Sequence, residues 1–196
     1  SSDKNRQQLA QVFKMSTKKI TNDADIILLH DNVDKMLGEI SAEFKSDRPS
    51  WDDYFMGIAK MVATRSNCIK RHVAAVIVKD KRIVSTGYNG TPRGTRNCDQ
   101  GGCPRCNSFA DSGTKLDECF CSHAEENAIC QAAYHGISIK DSSIYITYSP
   151  CLTCTRMIIN SGIKEVIYNE NYPLGQSSIK LLQEAGVKAR QMKLKE

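Results

Sequence analysis

The spacing of apolar residues along the chain predicts two helices in its first third. From Asp25 to Phe44 the apolar positions recur every three to four residues, which predicts one amphipathic helix of about 20 residues. A second helix is expected to begin with Ser50 as N-cap and Asp53 in the capping-box position. Its apolar face continues to about Asn67, so the first third of the chain is predicted to be largely helical.

The rest of the chain alternates between strand and helix patterns. The predicted elements are, in order, strands 73–78 and 82–88, helix 123–134, strand 143–148, a helix from 150 to 162, strand 165–168, helix 178–185 and strand 187–192. Serine is a favoured N-cap residue and proline fits the first helical position, so Ser149 and Pro150 predict the start of the next helix. This order predicts one α/β domain of about 145 residues.

The domain prediction places a boundary near Pro49. Residues 1–48 are expected to form an N-terminal helical extension, and residues 49–196 the α/β domain. Because the chain begins at Ser1 without a methionine, the extension is a candidate for the tail of an upstream domain.

Composition narrows the class of protein. The net charge of +5 is compatible with an anionic substrate and too small to indicate a nucleic-acid partner. We find no apolar run long enough to span a bilayer and no signal peptide, so no membrane partner is expected. Nine cysteines in C-x-x-C and C-x-C spacings indicate metal binding more than a disulfide scaffold. An intracellular location is therefore expected, in the cytoplasm or the nucleus.

Two motifs carry the candidate chemistry. The first is His-x-Glu, formed by His123 and Glu125, and the second is Pro-Cys-x-x-Cys, which contains Cys151 and Cys154. One imidazole and two thiolates are the three protein ligands of a catalytic zinc, which keeps its fourth position open for water. Glu125 is poorly placed to bind the same ion but can reach that water. The pattern therefore predicts an active site.

These motifs are the signature of the zinc deaminases, and the chain resembles the deoxycytidylate deaminase family within them. Two further stretches support the resemblance, namely Gly-Tyr-Asn-Gly-Thr-Pro-Arg-Gly over 87–94 and the continuation of the His-x-Glu motif through Ile129. The stretch Ser-Gly-Ile-Lys-Glu-Val over 161–166, followed by Tyr168 and Tyr172, is also similar. The resemblance implies a three-layer α/β/α cytidine deaminase-like fold with a five-stranded mixed sheet.

It also implies a reaction, the zinc-dependent hydrolytic deamination of dCMP to dUMP, which feeds dTMP synthesis. Zinc would be bound by the histidine and the two cysteines, with a zinc-bound hydroxide as nucleophile and Glu125 as proton shuttle. By the same resemblance Asn89 would contact the sugar, Arg93 is a candidate for the phosphate, and Tyr172 would line the substrate pocket.

Regulation is a further implication of the resemblance. Family members assemble as homo-oligomers, often hexamers, and many are activated by dCTP and inhibited by dTTP. This chain departs from the family in the helix after the motif. Gln131 and Tyr134 stand where some members place residues coupled to regulation. The resemblance therefore implies the response to dCTP and dTTP less directly than it implies the deamination reaction.

The remaining cysteines predict additional metal. Cys130 lies in an alanine-rich helix and is expected to be a small buried residue. Six others form the candidate pool for at least one structural zinc: Cys68, Cys98, Cys103, Cys106, Cys119 and Cys121. The resemblance favours Cys68, Cys98, Cys103 and either Cys119 or Cys121, while a different four or a second extra ion stays open. A closed thiolate site would stabilise a segment, 98–121, that has few core-forming residues.

Two other functions compete with this interpretation. A nucleic-acid base deaminase of the tRNA or cytidine-editing type shares the zinc chemistry but needs basic and aromatic surface for flanking nucleotides. A zinc-ribbon-like binding module would use Cys103-Pro104-Arg105-Cys106 with Cys119 and Cys121, but leaves Glu125 without a purpose.

Overall fold

The computed structural model describes residues 12, 14–21, 23, 25–43, 48–108, 114–172 and 176–194. They fall into two compact units, Ser1–Arg48 and Pro49–Glu196. The first unit contains helix α1, Ile26–Glu43, whose first turn is capped by Asp25, since Asp25 Oδ1 accepts a hydrogen bond from Leu28 N–H at 2.9 Å. The predicted amphipathic helix is therefore confirmed as far as Glu43, and its expected last residue, Phe44, lies outside the described residues. No helix in the described ranges is long and apolar enough to cross a membrane.

The second unit is built on one mixed sheet of five strands in the order β2-β1-β3-β4-β5. The strands are β1 Ala74–Lys79, β2 Arg82–Tyr88, β3 Ser143–Tyr148, β4 Glu165–Glu170 and β5 Lys188–Gln191. Strand β1 is antiparallel to both β2 and β3, whereas β3, β4 and β5 run parallel. The predicted five-stranded mixed sheet is confirmed.

Helices cover both faces of this sheet. They are α2 Trp51–Ala63, α4 Ala124–Tyr134, α5 Leu152–Asn160 and α6 Gln176–Glu184, and the single turn α3, Pro104–Asn107, lies in the segment before α4. Because side chains alternate along a strand, Val76 and Val78 pack against Phe55 and Met56 of α2, on one face. Residues of β1 at the alternate positions, such as Ile77, pack with the alanines of α4 on the other face. The predicted three-layer α/β/α arrangement is confirmed.

A charged network joins α2 to the far edge of the sheet. Arg190 of β5 donates two hydrogen bonds to Asp52 of α2, at 2.7 and 2.9 Å, and a third to Glu165 of β4 at 2.9 Å. The hydroxyl of Tyr145 in β3 also donates to Asp52, at 2.8 Å. The hydrogen bonds from Arg190 hold the pKa of Asp52 below its usual value.

The structure corrects the predicted start of α5. Cys151, and not Ser149, is the N-cap, and the helix begins at Leu152. The hydroxyl of Ser149 is already used, because it accepts a hydrogen bond from Tyr172 N–H at 2.7 Å. Its N–H donates to the carbonyl of Glu170 at 2.8 Å, so Ser149 extends the pairing of β3 with β4. Helix α2 is also shorter than predicted and ends at Ala63.

Candidate active site

The starts of α4 and α5 meet at the ends of strands and place the two predicted motifs side by side. His123 is the N-cap of α4, and its N–H donates a hydrogen bond to Glu126 Oε2, within the first turn of the helix, at 3.2 Å. The preceding residue, Ser122, pairs with Gly90 through two backbone hydrogen bonds of 2.9 and 3.2 Å. This pairing fixes the entry to α4 against the loop that follows β2.

His123, Cys151 and Cys154 come together as the sequence predicted. Nδ1 of His123 lies 3.3 Å from Sγ of Cys151 and 3.4 Å from Sγ of Cys154. Zinc with one nitrogen ligand at about 2.0 Å and sulfur ligands at about 2.3 Å in a tetrahedron requires N···S separations of about 3.5 Å. The three donor atoms therefore fit one zinc ion, and they are mutually close enough to share it.

Without a metal, one of these three donors is deprotonated near neutral pH. Hydrogen bonds with Cys154 and His123 lower the pKa of Cys151 to about 4, in spite of burial. The hydrogen bond with Cys151 raises the pKa of His123 to about 9, while burial opposes it. One thiolate is thus available near neutral pH, and a bound cation would favour release of the remaining protons.

Glu125 lies in the first turn of α4, two residues after His123, and is buried, with 4% of its surface exposed. Burial raises the pKa of its carboxyl group to about 7. A carboxyl group with this pKa can both accept and donate a proton near neutral pH, which is what a proton shuttle requires.

A cleft opens beside this set of four residues. Its wall includes Asn89, Arg71, Tyr148 and Tyr172, together with Glu125. The guanidinium carbon of Arg71 lies 4.9 Å from the ring centre of Tyr148 and 5.6 Å from that of Tyr172. The structure thus brings two of the three predicted substrate residues, Asn89 and Tyr172, to the cleft, and adds a cation that the sequence did not single out.

Both polar atoms of the Asn89 side chain make hydrogen bonds within the protein. Its Oδ1 accepts hydrogen bonds from the N–H of Val73 at 2.8 Å and from the hydroxyl of Ser66 at 2.7 Å. Its Nδ2 donates to the carbonyl oxygen of Arg71 at 2.8 Å. Asn89 therefore holds the segment 66–73 in place, and with it the backbone of Arg71.

Arg93, the third predicted substrate residue, is placed elsewhere. Its guanidinium donates to Gln131 Oε1 at 3.3 Å and lies over the ring of Tyr134, 5.1 Å from the centre. Gln131 and Tyr134 belong to α4, and Tyr134 is 72% exposed. Arg93 is not among the residues that line the cleft.

The six cysteines of the candidate pool lie together, next to the cleft. Their sulfur atoms form two sets of four: Cys68, Cys98, Cys106 and Cys121, and Cys103, Cys106, Cys119 and Cys121. The structure groups Cys103 with Cys106, Cys119 and Cys121 and not with Cys68 and Cys98, so it favours the alternative of a different set of four. Cys103 precedes the helical turn α3, which directs it toward Cys119 at 3.8 Å.

Cys130 is also corrected, because it is exposed and not buried. The face of α4 that packs on the sheet carries Ala124, Ala128 and Ala132, and residue 130 points away from it.

Sequence reasoning missed three contributors to the site. Arg71 supplies a cation to the cleft, Glu126 caps the N–H of His123, and Ser149 anchors Tyr172. Glu126 could have been found, since it stands three residues after the N-cap in a capping-box position. Arg71 gave only a weak signal, as one basic residue in a loop before a buried strand.

A mixed five-stranded sheet that brings a His-x-Glu helix start against a Pro-Cys-x-x-Cys helix start defines the cytidine deaminase class of fold. The chain belongs to the cytidine and deoxycytidylate deaminase family, whose zinc-binding region matches residues 49–170.

Individual relatives agree with this assignment. The deoxycytidylate deaminase of Schizosaccharomyces pombe is 51% identical over 144 residues, which are 74% of this chain and 44% of that protein. The deoxycytidylate deaminase of Saccharomyces cerevisiae is 48% identical over 149 residues, 76% of this chain and 47% of that protein. The chain thus spans slightly less than half the length of these two curated relatives.

A solved structure is also similar. The dCMP deaminase from the cyanophage S-TIM5, crystallised in complex with dCMP and dUMP, superposes with a TM-score of 0.63 and 34% identity. The match covers 74% of this chain and 98% of the phage chain.

Proposed function

We propose that this protein deaminates dCMP to dUMP, with one zinc ion bound by His123, Cys151 and Cys154. The observation that carries the proposal is the buried carboxyl group of Glu125, two residues from His123, beside a donor set with zinc spacing. Two curated relatives that are 51% and 48% identical to this chain over the aligned 144 and 149 residues are deoxycytidylate deaminases, and the phage enzyme was crystallised with dCMP and dUMP.

In this proposal the residues of the chain divide the work. The reaction adds water to C4 of the cytosine ring and releases ammonia, so two protons must move to the ring N3 and the leaving amine. When bound, zinc would supply a water of lowered pKa as nucleophile. Glu125 would accept a proton from the attacking water and return protons to the ring N3 and the leaving amine. The rings of Tyr148 and Tyr172 border the cleft in which the base and sugar would lie.

Phosphate selection is assigned to Arg71 within the same proposal. Arg71 lines the cleft, its guanidinium lies over the rings of Tyr148 and Tyr172, and its carbonyl oxygen accepts a hydrogen bond from Asn89. A guanidinium can pair two oxygens of a phosphate at once. Lys70 also lines the cleft and adds positive charge. Arg93, the candidate for the phosphate in the sequence analysis, contacts Gln131 and Tyr134 and serves as the comparison for Arg71.

The direct test measures ammonia or uracil-nucleotide release by the purified protein from three substrates: dCMP, deoxycytidine and a cytosine-containing single-stranded oligonucleotide. The proposal expects turnover of dCMP, a lower kcat/KM for deoxycytidine, and no turnover of the oligonucleotide. Activity on the oligonucleotide without activity on dCMP would replace this function by that of a nucleic-acid base deaminase.

We also predict that nucleotide effectors regulate the protein and that it assembles into an oligomer. Activation by dCTP, inhibition by dTTP and assembly into a homo-oligomer such as a hexamer follow from the family resemblance alone. Assays with each nucleotide, and light scattering of the purified protein during chromatography, measure them directly.

A further inference from the structure

The segment before His123 contains a cluster of buried cysteine side chains. The buried side chains Cys68, Cys98, Cys103, Cys106 and Cys121, with the half-buried Cys119 against them, form a cluster separate from both apolar cores of the sheet. The members come from three places in the chain: the segment after α2, the segment 98–106 and the approach to α4.

The sulfur positions match two metal sites that share an edge. Each set of four sulfur atoms lies within 4.8 Å, and the two sets have Cys106 and Cys121 in common. A tetrahedral zinc with sulfur at about 2.3 Å separates its ligands by about 3.8 Å. The observed separations are 4.0 Å for Cys68–Cys106, 3.8 Å for Cys103–Cys119 and 3.9 Å for Cys106–Cys119. These distances also exceed a disulfide bond of about 2.05 Å by far.

We propose that the six cysteines bind two zinc ions as one binuclear cluster, in which the thiolates of Cys106 and Cys121 bridge the ions. Cys68 and Cys98 complete the first ion, and Cys103 and Cys119 complete the second. This cluster is separate from the active site and goes beyond the proposed function, since it would bind metal whether or not the protein deaminates dCMP.

Sharing follows from the number of ligands. Two separate four-cysteine sites would need eight thiolates, and these two sets contain six cysteines. A single ion in either set would leave two cysteines of the other set unligated beside it. Two divalent ions on six thiolates leave a net charge of roughly −2, the same as one closed four-thiolate site.

Cationic side chains that line the same cleft as four of these cysteines can offset part of this negative charge. Arg105 lies between Cys103 and Cys106 in the chain, is buried with 7% exposed, and donates to the carbonyl oxygen of Thr114 at 2.9 and 3.1 Å. Lys70 and Arg71 line the cleft that Cys68, Cys106, Cys119 and Cys121 border. The cluster would thereby tie the cationic wall of the cleft to the residue two positions before His123.

Metal stoichiometry and X-ray absorption on the purified wild-type protein test the proposal together. We expect three zinc ions per chain by elemental mass spectrometry, two in the cluster and one in the active site. Zinc-edge absorption should show sulfur-rich ligation and a zinc–zinc distance of about 2.7–3 Å, because two ideal ZnS4 tetrahedra that share an edge at a Zn–S distance of about 2.3 Å place the ions about 2.7 Å apart. In the cadmium-113 form, two resonances coupled through the shared sulfurs are expected.

Variants assign the ions. Cys154→Ser should remove one zinc and keep the zinc–zinc distance, which separates the cluster from the active site. The double variant C103S/C119S should also lose one zinc, but with it the zinc–zinc distance, because Cys68, Cys98, Cys106 and Cys121 still hold one ion. Cys130→Ser, at an exposed cysteine outside both sets, is the control and should keep all three ions.

The wild-type data decide the question even if a variant fails to fold. Two zinc ions per chain without a zinc–zinc distance would overturn the proposal in favour of a single four-cysteine site. Iron in place of zinc, or disulfides among the six cysteines, would overturn it as well. Failure of dCMP turnover would bear on the proposed function and leave the cluster standing.

Discussion

Gly87 of β2 lies directly beneath Ala128 of α4, so close that a Cβ atom at position 87 would come 3.0 Å from the Cα of Ala128. It would approach the carbonyl oxygen of Ala124 and the N–H of Ala128 more closely still. Two hydrogen bonds reinforce the contact: Ser85 Oγ donates to the carbonyl of Ala128 at 2.7 Å, and Asn127 Nδ2 donates to that of Tyr88 at 2.7 Å. The helix that carries the candidate active site therefore rests on a backbone that has room for no side chain.

Gly87→Ala should therefore damage both stability and activity. The added methyl group meets backbone atoms that cannot rotate away, so α4 must shift and carry Glu125 with it. We expect a loss of about 1–3 kcal/mol in the free energy of unfolding, the usual cost of overpacking, measured by urea denaturation. Gly57→Ala is the control, because a Cβ there has no atom within 4 Å and alanine favours the helix. Equal stability of the two variants would contradict this packing.

The pairing of Asp52 with Arg190 predicts a pH-dependent contribution to stability. Since hydrogen bonds from Arg190 lower the pKa of Asp52, its contribution is present above the unfolded pKa of about 3.9 and is lost as pH falls through the folded pKa. Asp52→Asn should cost about 1 kcal/mol or less at pH 7, as the pair is partly exposed. The difference from wild type should shrink as the pH falls from 5 to 3.

Thermal unfolding across this pH range measures the effect. Asp80→Asn, at an exposed aspartate in the turn between β1 and β2, provides a comparison that removes the same charge without breaking the pair. A difference between Asp52→Asn and wild type that is independent of pH would rule out an ionic contribution of Asp52.

The substrate phosphate should be recognised by Arg71. Arg71→Ala removes the guanidinium that lines the cleft, and a hydrogen bond to a charged group contributes about 1.5–3 kcal/mol. We expect kcat/KM for dCMP to fall roughly ten- to a hundredfold, while that for deoxycytidine changes little. Arg93→Ala is the matched comparison, because Arg93 contacts α4 instead of the cleft. If Arg93→Ala loses the preference for dCMP and Arg71→Ala keeps it, the sequence-based assignment of the phosphate is the correct one.

Most elements of this fold were accessible from sequence because their apolar residues form either a periodic pattern or a continuous buried run. The continuous run in β1 and the alanines of α4 predict a buried strand and a helix packed closely on it, and both are present. The start of α5 was not predictable, since Ser149 is as good an N-cap as any by local chemistry. Its hydroxyl is taken by Tyr172, 23 residues later, and only the folded chain shows that.

Some residues of the candidate site were likewise predictable from local sequence, and others were not. His123, Glu125, Cys151 and Cys154 are identified by short motifs at helix starts, where local spacing determines geometry. Arg71 and Arg93 both lie in loops beside strands, and nothing local says which loop borders the cleft. The grouping of the six cysteines likewise depends on how the segment 98–121 folds back on Cys68.

The proposed reaction depends most on Glu125 acting as a proton carrier that does not bind metal. Glu125→Gln keeps the size of the side chain and removes its ability to exchange protons. Glu184→Gln, at an exposed position at the end of α6, is the control for the same substitution.

The decisive measurement is therefore the rate of dUMP formation from dCMP by Glu125→Gln, together with the zinc content of the same sample. We expect kcat to fall by about 10²–10⁴-fold or more, as for loss of a general acid–base group, with zinc content equal to wild type. Turnover near the wild-type rate, or loss of one zinc ion together with the activity, would contradict the account.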